Sequence, residues 1–135
     1  MAVLGVNFNK LHLEKTGTVK GKINIRNNVI ITNVEKGDLN IANTKQPLLK
    51  VAFEFTVHYD PKIANLTLNG ELLYLEKIEK VDELVKAWQK DKKLPKEVMA
   101  GLLTNIIQKA NIEALILSRE VGLPPPVQMP RVNIK

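Results

Sequence analysis

Apolar and polar residues alternate along the first half of the chain with the two-residue period of β-strands. Leu49, Val51, Phe53, Phe55, Val57 and Tyr59 alternate with Lys50, Ala52, Glu54, Thr56, His58 and Asp60. That spacing predicts a strand over 49–59 with one buried and one wet face. Asp60-Pro61 predicts a turn, because proline disfavours helix in the residue before it and presets its own φ. A following strand is read over 63–75, with Leu66, Leu68, Leu72 and Tyr74 on one face. Upstream, 19–34 reads as a strand with Ile23, Ile25, Val29 and Ile31 inward, and the polar Arg26-Asn27-Asn28 predicts a bulge or bend within it. Residues 3–13 are strand-like too, but Val6 and Phe8 share one parity and Leu11 and Leu13 the other. One extra residue near Asn9-Lys10 accounts for that slip. Lys36-Gly37-Asp38 and the segment through Pro47 are assigned to a turn and loop.

At about Lys77 the period becomes helical. Ile78, Val81, Leu84, Val85 and Trp88 form one stripe and predict a helix over 78–90. A second helix is expected over 95–121, with Pro95 in its first turn and Gly122 followed by Pro124 as its stop. Its densest stripe holds Met99, Leu103, Ile106, Ile107, Ala110, Ala114, Leu117 and Val121. Val98, Leu102 and Ile116 fall on a shoulder, while Ile112 and Leu115 lie outside the stripe. A helix packed on its own sheet needs an apolar arc of about 100°. These five residues exceed it, and they are assigned to an interface with another copy of the chain. The alternative is that the segment from Leu123 to Ile134 folds back over them. The expected architecture is α+β: a four-stranded antiparallel sheet in meander order, then two helices packed on one face, then an extended tail over 122–135. No repeat or linker divides the chain, so one domain over 1–135 is expected.

Charge and composition exclude more than they assign. The chain carries 20 Lys+Arg against 14 Asp+Glu, a formal +6, with the densest cluster at Lys90, Lys92, Lys93 and Lys96. A basic nucleic-acid-binding domain is one reading of that excess, but stacking platforms are few, with only one Trp, two Tyr and three Phe. Cysteine is absent, which removes disulfides, thiolate metal sites and a cysteine nucleophile. Met1–Asn9 lacks the basic and apolar regions of a leader, and apolar runs are short, so a cytoplasmic protein is expected.

Candidate chemistry is sparse. His12 and His58 stand on separate strands without metal-binding spacing, and no metal or cofactor is expected. Nucleophile-elbow, P-loop and dinucleotide-binding motifs are absent. Glu71, Glu76, Glu79, Asp82 and Glu83 cluster between the fourth strand and the first helix. A small-ligand or enzymatic domain would place Glu71 or Glu76 at the mouth of a sheet–helix pocket; solvated carboxylates opposite the apolar stripe are the plainer reading. No catalytic residue is assigned.

The most distinctive stretch is the last. Gly122-Leu123-Pro124-Pro125-Pro126-Val127-Gln128-Met129-Pro130-Arg131-Val132 cannot be helix and has few N–H donors for a sheet, so it should lie extended over a surface through Leu123, Val127 and Met129. Here the sequence resembles the SecB export chaperones. In that family a long helix ends at glycine and runs into a segment of the form Gly–x–aromatic–Pro–x–x–x–x–x–Pro–Val–Asn, which Gly122, Pro124, Pro130, Val132 and Asn133 echo. The order of four strands, short helix, proline-bearing connector and long helix is similar as well. The resemblance implies an ATP-independent holdase, a homotetramer built as a dimer of dimers, binding extended apolar segments of unfolded proteins or preproteins. It also implies a client groove near Trp88, Leu84, Leu123, Val127 and Met129; for Leu84, ordinary core is the favoured reading. SecB proteins are acidic whereas this chain is basic, so a dedicated client fits better than docking to an export motor.

Overall fold

A computed structural model describes residues 2–18 and 21–126. It contains β1 (Ala2–Lys15), β2 (Asn24–Ile41), β3 (Thr44–Asp60), β4 (Ala64–Leu75), α1 (Ile78–Asp91) and α2 (Lys96–Glu120). All pairings are antiparallel, and the spatial order is β1-β4-β3-β2. The α+β class is as the sequence predicts; the meander order is not. β2, β3 and β4 are joined by hairpins, whereas β1 lies beside β4 in a Greek-key arrangement. Crossing the ends of two strands at about 4.8 Å spacing takes roughly 14 Å, within reach of the connection over 16–23. Thr16 and Gly17 tie that connection to the β3–β4 turn, both donating backbone N–H groups to the Ile63 carbonyl at 2.8 and 3.0 Å. Periodicity within single strands carries no information about such non-sequential pairing.

Two other expectations change for local reasons. Lys36-Gly37-Asp38 and Pro47 lie inside the β2–β3 ladder, with Gly37 opposite Leu48 and Asp38 opposite Pro47. The actual turn is Ala42-Asn43, with φ of 43° and 68°, flanked by the Ile41–Thr44 pair. Two positive φ values match the right-handed twist of a tight hairpin. The tip residues 42–45 are exposed, so alternation had no buried face to mark. Arg26-Asn27-Asn28 likewise pair in unbroken register with His58, Val57 and Thr56, and the irregularity in β2 lies between Ile31 and Asn33. The expected shift at Asn9 is present, between Phe8 and Lys10, and a second separates Val3 from Gly5.

The helices cover one face. Leu49, Val51, Phe53, Phe55, Val57 and Tyr59 of β3 are all buried there, with Leu66, Leu68, Leu72 and Tyr74 of β4. α1 lies over β2 and β3, and α2 over β1, β4 and β3. One core cluster joins Val51, Phe53 and Leu72 to Val81, Leu84 and Trp88 of α1 and Leu102 and Ile106 of α2. A second joins Phe55, Val57, Tyr59, Leu66 and Leu68 to Ala110, Ala114 and Leu123. Gly70 lets β1 approach β4 beneath the edge-to-face pair of Phe8 and Phe53, whose ring centroids are 6.0 Å apart; a Cβ there would collide with the Asn7 carbonyl oxygen. α1 closes at Lys92 in the left-handed region (φ 57°), with its ammonium 5.7 Å from the Trp88 ring centre. Pro95 is the N-cap of α2 rather than part of its first turn.

Candidate functional site

The sheet-facing line of α2 is Leu102, Ile106, Ala110, Ala114 and Ser118, one residue per turn. Its second half is small, which seats the helix closely on Phe55, Tyr59 and Leu66. This line is rotated from the stripe read in the sequence, because a helical wheel shows how wide an apolar arc is and not where the sheet meets it. Leu102, assigned to an oligomer interface, is 1% exposed and belongs to the chain's own core. Ile112 and Ile116 are 59% and 44% exposed, and Ile107, read as core-facing, is 37% exposed. Leu115 is half-buried and Val98 packs at the margin of the first cluster. A surplus of apolar surface is therefore present on α2, carried by Ile107, Ile112 and Ile116.

The residues expected in one client groove do not come together. Leu84 and Trp88 are buried in the first core cluster, and Leu123 in the second. α1 covers the β2–β3 side, whereas Leu123 follows α2 to its far end. Val127 and Met129 lie outside the described residues, as do Pro130, Val132 and Asn133 of the tail motif.

What the structure builds instead is a pinned strap over Gly122–Pro126. Gly122 takes a φ of 69° and reverses the chain, and the Leu123 N–H donates to the Ser118 carbonyl at 2.9 Å. The Tyr59 hydroxyl donates to the Pro124 carbonyl at 2.9 Å, and Asn27 Nδ2 to the Pro126 carbonyl at 3.2 Å. Lys15 Nζ donates to the Val121 carbonyl at 3.1 Å, joining the end of β1 to the helix terminus. Asn27 thus explains why a polar residue interrupts the inward face of β2: it satisfies a strap carbonyl. Burial pushes the Tyr59 phenol above its ordinary pKa, opposed by a hydrogen bond with Ser118, so near neutral pH it is a protonated donor. No motif announced these two anchors; a polar residue in an apolar phase was the one available signal.

Strap, α2 and β2 enclose adjoining clefts. One, of about 400 Å³, is lined by Leu115, Ile116, Ser118, Arg119, Leu123 and Pro125. Another, of about 250 Å³, lies between Ile107 and Asn111 of α2 and Asn27, Asn28, Val29 and Phe55 of the sheet. On the opposite flank a cleft of about 240 Å³ is bounded by Val3, Tyr74, Val98, Gly101 and Leu102, among others. Glu71 sits on the sheet face away from the helices, opposite Asn7 and Ala52, and Glu76 accepts the Lys77 backbone N–H. Neither carboxylate lines these clefts. Among the described residues, no three His, Asp or Glu side chains are grouped to hold a metal ion, and no helix is long and apolar enough to cross a membrane.

The four-stranded antiparallel sheet followed by two helices on one face is a SecB-like fold. The chain is similar in structure to the SecB-like chaperone Rv1957 of Mycobacterium tuberculosis, solved in complex with a ChAD peptide from the HigA1 antitoxin Rv1956. The TM-score is 0.59 at 9% identity, over 99% of this chain and 91% of that one. No family model matches the sequence, and no curated protein matches it either.

Proposed function

We propose that this chain is a cytoplasmic, ATP-independent holdase that binds extended apolar segments of unfolded proteins and assembles as a homotetramer. The observation that carries this reading is the exposed apolar surface of α2, Ile107, Ile112 and Ile116, on a fold similar to that of a peptide-binding chaperone. The surface divides into two uses. Ile112 and Ile116 form the face that meets another copy, whereas Val98, four residues before Leu102 on the sheet-facing line, packs against the chain's own first core cluster. The flank toward β2, with Ile107, Leu115, Leu123 and Pro125, takes the client, and Val127 and Met129 extend that groove. Leu84 and Trp88, buried in the first core cluster, are not part of it. The basic charge attracts acidic and unfolded chains over long range, and a dedicated client or a preprotein awaiting export both have the required chemistry. No catalytic role is proposed for any residue.

The test is light scattering from aggregating reduced insulin. Suppression is expected at stoichiometric ratios and unchanged by ATP, with a solution mass about four times the chain's 15.2 kDa. Aggregation proceeding at its unassisted rate overturns the holdase reading.

A further inference from the structure

Along one flank of α2, Ile107, Asn111, Leu115 and Arg119 follow at four-residue spacing, so apolar, carboxamide, apolar and cationic side chains succeed one another. Ile107 and Asn111 line the cleft of about 250 Å³, with Val29 and Phe55 as its sheet wall. Leu115 and Arg119 line the cleft of about 400 Å³, where Leu123 and Pro125 stand across from them. Among the described residues, no carboxylate lines either cleft.

Arg119 has no structural task at the helix end. A cation in the last turn commonly bonds the open carbonyls, but those are already served. The Leu123 N–H donates to the Ser118 carbonyl at 2.9 Å and the Gly122 N–H to the Arg119 carbonyl at 3.2 Å. Lys15 Nζ donates to the Val121 carbonyl at 3.1 Å. Among the described residues the ion pairs are His12–Glu14, Arg26–Asp60, Lys36–Asp82 and Lys80–Glu83, and none involves Arg119. The residue is exposed, and the N–H fork of a guanidinium matches the two oxygens of a carboxylate.

The spacing adds a register. Residues four apart on a helix advance about 6 Å along its axis. Residues two apart in an extended chain advance about 6.6 Å and share a side. An extended segment laid along this flank therefore meets Ile107, Asn111, Leu115 and Arg119 with every second residue.

We propose that the client groove selects extended segments whose apolar residues, four apart, pack on Ile107 and Leu115 and whose acidic residue, two positions beyond, pairs with Arg119. Asn111, between the two apolar contacts, offers its carboxamide to the segment's backbone. This preference rests on the holdase reading above and gives it a sequence signature. The spacing is the same for either chain direction, so the acidic residue stands at one end of the motif or the other.

The test titrates the full-length protein into fluorescein-labelled peptides at low salt, read by anisotropy. Each peptide carries two leucines four apart and, two positions beyond, Glu, Gln or Lys in a glycine–serine background, made in both orders. In one order the Glu peptide should bind about threefold or more tighter than the Gln peptide, as expected for an exposed arginine–carboxylate pair. Moving Glu by one position, to the other side of the extended chain, should remove the advantage. Arg119→Gln should remove it too while leaving the Gln peptide's affinity unchanged. Lys93→Gln, which alters an exposed lysine outside both clefts, should keep it. Equal binding of Glu and Gln peptides in both orders overturns the proposal. So does an advantage indifferent to the position of Glu, or one lost as fully in Lys93→Gln as in Arg119→Gln. The comparison of Glu positions uses the wild-type chain alone, so it decides the matter even where a variant loses its cooperative melt. Equal binding leaves the holdase reading standing, whereas failure of every peptide to bind overturns both.

Discussion

Ile112→Asn and Leu102→Ala distinguish surface held for a partner from surface already used, although both residues belong to the same surplus in the sequence. Leu102 is 1% exposed against Tyr74, Ile106 and the first core cluster, and Ile112 is 59% exposed. Fully burying an isoleucine side chain is worth about 1.5–3 kcal/mol, so the open portion of Ile112 gains about 1–2 kcal/mol when another copy covers it. In a two-fold interface the residue occurs twice, and about 2–4 kcal/mol is lost by Ile112→Asn, roughly two orders of magnitude in association. The single chain should scarcely notice, since water already covers most of that side chain. Leu102→Ala removes core volume and should cost about 2–5 kcal/mol of folding stability. Sedimentation velocity across a dilution series reads the first effect, and urea unfolding at low concentration reads the second. A wild-type chain that is monomeric at all concentrations, or an Ile112→Asn variant that assembles as tightly as wild type, would refute the reasoning about α2.

Two further outcomes follow from single contacts. Gly70→Ala should destabilise by about 2–4 kcal/mol, because the new Cβ meets the Asn7 carbonyl and stands 2.9 Å from Phe53 Cζ, so β1 must move away from β4; a urea midpoint matching wild type would show that the strands do not approach so closely. Tyr59→Phe should cost about 0.5–1.5 kcal/mol by leaving the Pro124 carbonyl without its donor. Its pH dependence has a definite sign. The folded state holds the Tyr59 proton above the ordinary tyrosine pKa, so that stability is fully present below the ordinary value and declines as pH rises past it. The phenylalanine variant should therefore lose less stability than wild type in alkaline urea titrations, and parallel alkaline declines would contradict the buried, hydrogen-bonded phenol.

Strand and helix identity were legible because burial leaves a period. β3 and β4 alternate through nearly their whole length, as one face meets the helices and the other does not. Where both faces are exposed, at the β2–β3 tip, the period vanishes and strand reads as loop. A break in the period has more than one cause, which is why Asn27 suggested a bulge when it was serving the Pro126 carbonyl. The extra residue at Asn9 was recoverable, since a bulge shifts every later side chain to the opposite parity.

The sequence by itself determined the α+β class, the number of elements, the stop of the long helix and the excess of apolar surface on it, all properties of local spacing. Only the tertiary structure decided that β1 lies beside β4, that Leu102 faces inward while Ile107 faces the β2 flank, and that Leu84 and Trp88 sit apart from Leu123. Those outcomes depend on which surfaces meet across long separations, and the energy of such a meeting belongs to pairs of elements rather than to the pattern within either one.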